Sequence, residues 1–179
     1  MKESFEEMLK GGHPNSLGRT LEVVEIIEND PSKLEELYGC YFSQDELVRL
    51  RVSNGIKRIS REHREWLIPY IDRLLNEISK IDQASTKWTL AELFRTLTEF
   101  MSPEQYSKSK SILKHNLEND KDWIVINWTM QTLAEWAVTE PDLREWLKPR
   151  LVKFSKDNHK SISGRAKRLL NELNYSNLH

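Results

Sequence analysis

The amino-acid sequence predicts an all-α solenoid of about four helical hairpins, preceded by one further helix. Three observations support this fold class. A sequence motif returns at multiples of 40 residues, apolar residues recur three and four positions apart, and the composition favours helices. Charged residues make up 31% of the 179 residues and only 6 Gly and 6 Pro are present, which suits surface-rich helices better than many short strands.

The repeat is visible in two pairs of segments. Residues 64–69 read REWLIP and residues 144–149 read REWLKP, five identities in six positions at a separation of 80 residues. Residues 88–93 (WTLAEL) and 128–133 (WTMQTL) share Trp, Thr and Leu at a separation of 40. Tyr106 stands where a middle copy of the first motif would place its aromatic residue. A period of this length indicates stacked units, because a single hairpin cannot bury its own apolar face.

The N-terminal part of the chain precedes the repeat. We expect residues 1–16 to form a loose N-terminal arm and residues 17–179 to form a single repeat domain, which is an ordinary size for one domain. A helix predicted over residues 17–28 would cover the open side of the first hairpin.

Four hairpins follow, and their helix starts carry recognisable signals. Asp45 is suited to cap a helix, and Ser102 with Gln105 has the spacing of a capping box. Pro69 and Pro149 suit the first turn of a helix, where a missing N–H has no cost. Short polar linkers make the two helices of each hairpin antiparallel. The predicted hairpins pair a helix over residues 31–42 with one over 45–59, a helix over 65–79 with one over 84–100, and a helix over 146–156 with one over 162–173. The two helices of the third hairpin lie on either side of the linker 118–122.

Residues 45–51 (DELVRLR) resemble the start of the second helix of a HEAT repeat, in which an Asp caps the helix and a Val-Arg pair follows. Residues 13–20 (HPNSLGRT) and 122–125 (DWIV) are similar to small bacterial HEAT-repeat proteins of unassigned function. The resemblance covers most of the chain and implies a right-handed α-α superhelix, armadillo-like in form, that acts as a scaffold. It implies no catalytic activity.

Charge and cysteine content limit the function classes. The 27 Lys and Arg balance 28 Asp and Glu, so no global field attracts nucleic acid or an acidic membrane. No segment has the length and apolarity of a membrane span or the pattern of a secretory signal. Cys40 is the only cysteine, which predicts no internal disulfide, a buried inert thiol and a cytoplasmic location.

Helix geometry predicts a surface on the second helices, opposite their core stripes. Its two Trp residues lie 40 positions apart and favour a protein partner, because Trp is frequent at binding hot spots. The alternative is that both indoles pack between adjacent hairpins. The predicted contact residues are Trp88, Glu92, Arg95, Trp128, Thr132, Glu135 and Arg168.

Nucleic-acid binding is the alternative function, through basic residues grouped at positions 49–64 and 148–168. It includes an activity like that of the HEAT-like alkylpurine DNA glycosylases, for which Asp122 beside Trp123 is the nearest candidate catalytic residue. The five His are scattered and no glycine-rich phosphate motif is present. We therefore expect no catalytic residues, no cofactor and no metal, and the oligomeric state is not predicted.

Overall fold

The computed structural model describes residues 3–175, and this part contains ten α-helices and no β-strand. The predicted all-α class is confirmed. Residues 1–2 of the predicted arm and residues 176–179 of the predicted domain lie outside the described residues. The helices are α1 (Phe5–Leu9), α2 (Thr20–Asn29), α3 (Leu34–Gly39), α4 (Glu46–Glu62), α5 (Ile71–Asn76), α6 (Ala84–Thr96), α7 (Pro103–Asn119), α8 (Trp123–Ala137), α9 (Pro141–Phe154) and α10 (Lys160–Tyr175).

The repeat is seen in the spacing of the second helices of the hairpins. They begin at Glu46, Ala84, Trp123 and Lys160, at successive intervals of 38, 39 and 37 residues, close to the period read from the sequence. Two of these starts are capped by an Asp side chain, which accepts hydrogen bonds from N–H groups in the first turn of α4 and α8. The cap by Asp45 on α4 was predicted.

The capping box before α7 is confirmed in both directions. The Gln105 backbone N–H donates to Ser102 Oγ (3.1 Å), and the Ser102 N–H donates to Gln105 Oε1 (2.9 Å). The two bonds satisfy donors that the helix itself cannot pair, which fixes where the helix begins.

The chain divides into two compact units, residues 1–105 and residues 106–179. In the first unit, α4 packs between α2 and α6, so that three helices form one layer. The short α3 and the segment 64–80 pack against this layer. Val52 and Ile56 of α4 and Phe94 of α6 are among the buried side chains of its core.

In the second unit, α8 packs against α9 and α10, which also pack against each other. The indole of Trp136 on α8 meets the ring of Tyr106 on α7 edge-on, with 4.7 Å between ring centroids. Leu133 of α8, Leu147 of α9 and Ala166 of α10 are fully buried. Each helix therefore buries one apolar stripe, as the three-and-four spacing predicts.

One helix lies within the segment that was expected to form a loose arm. The side chains of Phe5, Met8 and Leu9 in α1 are buried, and α1 packs on α2, α3 and α4. The expectation of a loose arm is therefore corrected for residues 5–9. Three apolar side chains in little more than one turn give this short helix a face that is more stable when buried.

A buried arginine of α4 holds the loop that follows α1. Arg51 is 1% exposed, and its guanidinium donates to the backbone carbonyl oxygens of Leu9 and Gly11, both at 2.6 Å. Longer hydrogen bonds reach the carbonyls of Ser16 (3.3 Å) and His13 (3.5 Å). We call this set of four backbone oxygens the carbonyl cage. A buried charge needs such partners, because it has lost its water.

The two copies of the REWL motif adopt different local structures. Residues 64–69 lie in a 3-10 helix, Arg64–Tyr70, and α5 starts only at Ile71. Residues 144–149 lie inside α9, which begins at Pro141. The prediction that Pro149 stands in the first turn of its helix is therefore wrong, since Pro141 already occupies that position.

Within residues 3–175, no helix combines the length and apolarity needed to cross a membrane.

Candidate partner-binding surface

The second helices of the first unit, α4 and α6, lie side by side and run in parallel. Near the start of α4, Arg49 Nε donates to Gln83 Oε1 (2.6 Å), just before α6. Near the end of α4, Arg61 Nη2 donates to Glu92 Oε1 (2.9 Å) in the second half of α6. Trp88 lies between these two contacts along α6, level with the middle of α4. Its indole is half-buried.

Glu92 is the centre of a charged cluster. It is 4% exposed, and it forms ion pairs with Arg61 and with Lys57, whose Nζ lies 3.9 Å from Glu92 Oε2. Glu92 Oε2 is buried without a hydrogen bond to any described residue. Burial lowers the pKa of the Lys57 ammonium, the Glu92 carboxylate raises it, and the positive charges of Arg61 and Arg58 lower it further. We call Lys57, Arg61 and Glu92 the α4–α6 cluster.

In the second unit, α8 and α10 have the same parallel arrangement. Asn127 Nδ2 donates to Ser161 Oγ (2.8 Å) near the start of both helices. Farther along, the guanidinium of Arg165 lies 5.1 Å from the centroid of the Trp128 indole, within the range of a cation–π interaction. The half-buried Trp128 on α8 therefore lies beside a positive charge on the neighbouring parallel helix α10.

A ladder of polar contacts continues along the same face. Gln131 Nε2 donates to Glu135 Oε1 (2.8 Å), and Gln131 Oε1 accepts from Arg168 Nη2 (2.7 Å). Arg168 also forms an ion pair with Glu172 one turn later (2.7 Å). Every side chain of this ladder has a polar partner, whereas the α4–α6 cluster has two cations around one carboxylate.

Two of the seven predicted contact residues are buried. Glu92 is 4% exposed and Thr132 is 0% exposed, so the expectation that they lie on an exposed strip is corrected. The geometry of one isolated helix gives the direction of a side chain but not the neighbours that cover it. The role of the others in binding stays a prediction. Trp88, Arg95 and Trp128 are half-buried, and Glu135 and Arg168 are exposed.

The sequence did not indicate that charges on neighbouring repeats pair with each other. The signal was present, because Lys57 and Arg61 are one turn apart on α4 and precede Glu92 by about one repeat period. Arg51 was also missed. From the sequence it was grouped with other basic residues of the surface, whereas the structure buries it in the carbonyl cage.

Asp122, the candidate catalytic residue of the glycosylase alternative, caps α8. Its Oδ1 accepts hydrogen bonds from the backbone N–H groups of Ile124 (2.8 Å) and Val125 (3.0 Å). These bonds account for its position through helix capping alone. Within residues 3–175, no three His, Cys, Asp or Glu side chains are grouped in a way that could hold a metal ion.

The basic residues near the end of the sequence fall into a group with partners, which includes Arg165 beside Trp128, and a group without ion pairs. Arg150 pairs with Glu118, and Arg168 pairs with Glu172. The second group, on α9, α10 and the turn between them, has no ion pair with a described carboxylate. Its members are Lys148, Lys153, Lys156, Lys160 and Lys167.

Cys40 is buried, as predicted, and its thiol is not poised for nucleophilic chemistry. Burial raises the pKa of Cys40 to about 11, and the negative charges of Glu6 and Glu36 add to the increase. A thiol with this pKa has only about one part in a thousand as thiolate at pH 8.

We therefore expect iodoacetamide at pH 8 to leave the native protein unmodified at Cys40. The same reagent should alkylate Cys40 within minutes in concentrated guanidinium chloride, where unfolding restores an ordinary thiol pKa. Intact-protein mass spectrometry follows both reactions. Equal rates in the two solutions would contradict the buried assignment.

Comparison with known proteins agrees with this architecture. The model of the HEAT repeat domain family matches residues 5–169, which include the α4–α6 cluster, Gln131, Glu135 and Arg168 of the polar ladder, and at least part of each of the ten helices. No curated protein and no solved structure matches the chain. With helical units repeated at the expected interval and a family match over most of its length, the chain belongs to the HEAT repeat domain family.

Proposed function

We propose that the chain is a non-catalytic scaffold that binds a protein partner through the surfaces of its second helices, α4 and α6 in the first unit and α8 and α10 in the second. One observation carries this proposal. Each surface holds a half-buried Trp, Trp88 or Trp128, that keeps part of its indole accessible. Partly accessible Trp is typical of hot spots in protein interfaces, and Trp128 also has Arg165 beside it.

The family supports the same function. Helical repeat proteins present a continuous series of second helices, and extended surfaces of this kind are what they use for binding. Ordered side chains also lower the entropy cost of association. Gln131, Glu135 and Arg168 of the polar ladder are already held by hydrogen bonds before a partner binds.

The test compares capture of partners by the full-length chain and by Trp88→Ala and Trp128→Ala variants. We expect the captured amount of at least one protein from the cells of origin to fall about thirtyfold, which is the effect of removing a hot-spot side chain. Quantitative mass spectrometry of the captured proteins measures the loss. Arg168→Ala gives an additional variant, because Arg168 is exposed and its removal leaves the core intact.

The matched control is Trp123→Ala. Trp123 is on α8 as well, but it is 44% exposed at the start of the helix and stacks on His159 instead of facing the polar ladder. Its removal should leave capture unchanged. Equal recovery with all variants would contradict the proposal. So would a large fall in melting temperature for the Trp88 and Trp128 variants without a specific loss of a partner.

A further inference from the structure

The first unit has an acidic composition but a basic cluster on its second helices. Residues 1–105 contain 14 Lys and Arg against 19 Asp and Glu, whereas residues 106–179 contain 13 against 9. Within this acidic unit, the α4–α6 cluster places Lys57 and Arg61 against the single carboxylate of Glu92. The two cations therefore outnumber the one carboxylate that they contact.

The hydrogen-bonding capacity of the cluster is only partly used. Glu92 Oε1 accepts from Arg61, but Glu92 Oε2 is buried without a hydrogen bond. The Lys57 side chain is only 18% exposed, and its Nζ finds no hydrogen-bond acceptor among residues 3–175, the Glu92 carboxylate being 3.9 Å away. A partly buried ammonium with unused donors is costly, and an anionic acceptor would stabilise it.

Arg61 makes the cluster accessible from outside. Its side chain is 55% exposed although its guanidinium already contacts the buried carboxylate. A guanidinium has five N–H donors, so several remain for a second anion. A carboxylate bound here would contact Arg61 at the surface and Lys57 below it.

An apolar side chain lies next to this cluster. Trp88 precedes Glu92 by four residues on α6, so both project from the same face of the helix. On α4, the half-buried Leu50 lies seven residues before Lys57, on the same face. The surface thus combines a cationic end with an apolar end within two turns of helix.

We propose that the α4–α6 cluster binds a carboxylate of an acidic segment of the protein partner, and that Trp88 receives an apolar side chain of the same segment. Charge complementarity favours this occupant. A basic segment would be repelled by Lys57 and Arg61, and an uncharged segment would leave their hydrogen-bond donors unused. The inference rests on the proposed function and adds the chemistry of the partner.

The test is selection from a displayed library of random 12-residue peptides on the immobilised full-length protein. We expect the selected peptides to be enriched in Asp and Glu and to contain an aromatic or aliphatic side chain near the acidic residues. The affinity of one selected peptide should then fall about tenfold with Arg61→Gln and more with the Lys57→Met and Arg61→Gln double variant. It should also fall as the salt concentration rises.

Two further variants separate binding at the cluster from general electrostatics. Arg58→Gln removes one positive charge from the same helix, but Arg58, unlike Arg61, makes no ion pair with Glu92. It should change the affinity less than twofold. Glu92→Gln removes the competing carboxylate while keeping its shape, so it should tighten binding several-fold.

The outcomes distinguish this inference from the proposed function. Peptides that depend on Trp88 but show no acidic enrichment would overturn the inference and leave the proposed function in place. An equal loss of affinity with Arg58→Gln and Arg61→Gln would also overturn it. Failure to select any peptide that depends on Trp88 would contradict both for this surface. If a DNA duplex displaced the selected peptide in a competition assay, and its binding depended on Arg61, the occupant would be a nucleic acid instead.

Discussion

Replacing Arg51 by methionine is expected to lower the free energy of unfolding by about 3 kcal/mol. Methionine fills a similar volume but has no N–H donor, so the carbonyl cage of Leu9, Gly11, His13 and Ser16 loses its guanidinium. A partly buried carbonyl left without a donor costs about 1–3 kcal/mol, and the two shortest bonds, to Leu9 and Gly11, should account for most of the loss.

Urea denaturation measures this loss, and hydrogen exchange locates it. Backbone amides of residues 9–18 should exchange faster in Arg51→Met, because the guanidinium bonds four carbonyl oxygens of this segment. The control is Arg58→Met, on the same helix, whose side chain is half-buried and lies outside the carbonyl cage. Similar unfolding free energies for the two variants would mean that the cage contributes little to stability.

Replacing Gly18 by alanine is expected to cost about 2 kcal/mol for two reasons. Gly18 has a φ of +52°, a left-handed conformation that costs an L-residue about 1 kcal/mol. In addition, a Cβ at this position would lie 2.8 Å from Arg51 Cζ, the centre of the buried guanidinium. Arg51 cannot move away without stretching its bonds to the carbonyl cage.

The matched control for Gly18→Ala is Gly164→Ala, which should have the opposite sign. Gly164 lies inside α10, its Cβ would meet open space, and alanine favours a helix interior by up to about 1 kcal/mol over glycine. Combining Gly18→Ala with Arg51→Met gives a further check, because the steric part of the cost should disappear when the guanidinium is absent. An unchanged cost in the double variant would show that backbone strain alone explains the effect.

The helix starts and the repeat could be predicted from the sequence because their causes are local. Asp45 and Asp122 cap α4 and α8 through hydrogen bonds to N–H groups two or three residues away. The capping box of Ser102 and Gln105 acts over the same distance. Signals of this range depend only on neighbouring residues, so their meaning does not change with the tertiary structure.

The two REWL motifs show where local reasoning ends. The same residues form a 3-10 helix after His63 and the middle of an α-helix after Pro141. The Trp66 indole stacks on His63 (3.9 Å between centroids), whereas Trp146 lies against the cations of Lys114 and Arg150. What precedes the motif and what packs on its Trp decide its conformation, and neither is part of the motif.

The burial of charged groups could not be predicted from the sequence, for a related reason. Arg51 and Arg61 are both arginines on α4, ten positions apart, yet one is enclosed by the carbonyl cage and the other is largely exposed. Their difference arises from the loop after α1 and from Glu92, which lie at distant positions in the chain. Hydrophobic periodicity cannot identify such partners, because it records only which face of a helix is apolar.

The parallel second helices also bear on how the chain folds. The hydrogen bonds that join them connect residues only 31 to 38 positions apart, both between α4 and α6 and between α8 and α10. Closing each of these loops costs the entropy of about one repeat, whatever the total length of the chain. Structure can therefore nucleate at any neighbouring pair of repeats and spread to the next, so that adding or removing a whole repeat should alter the folding rate little.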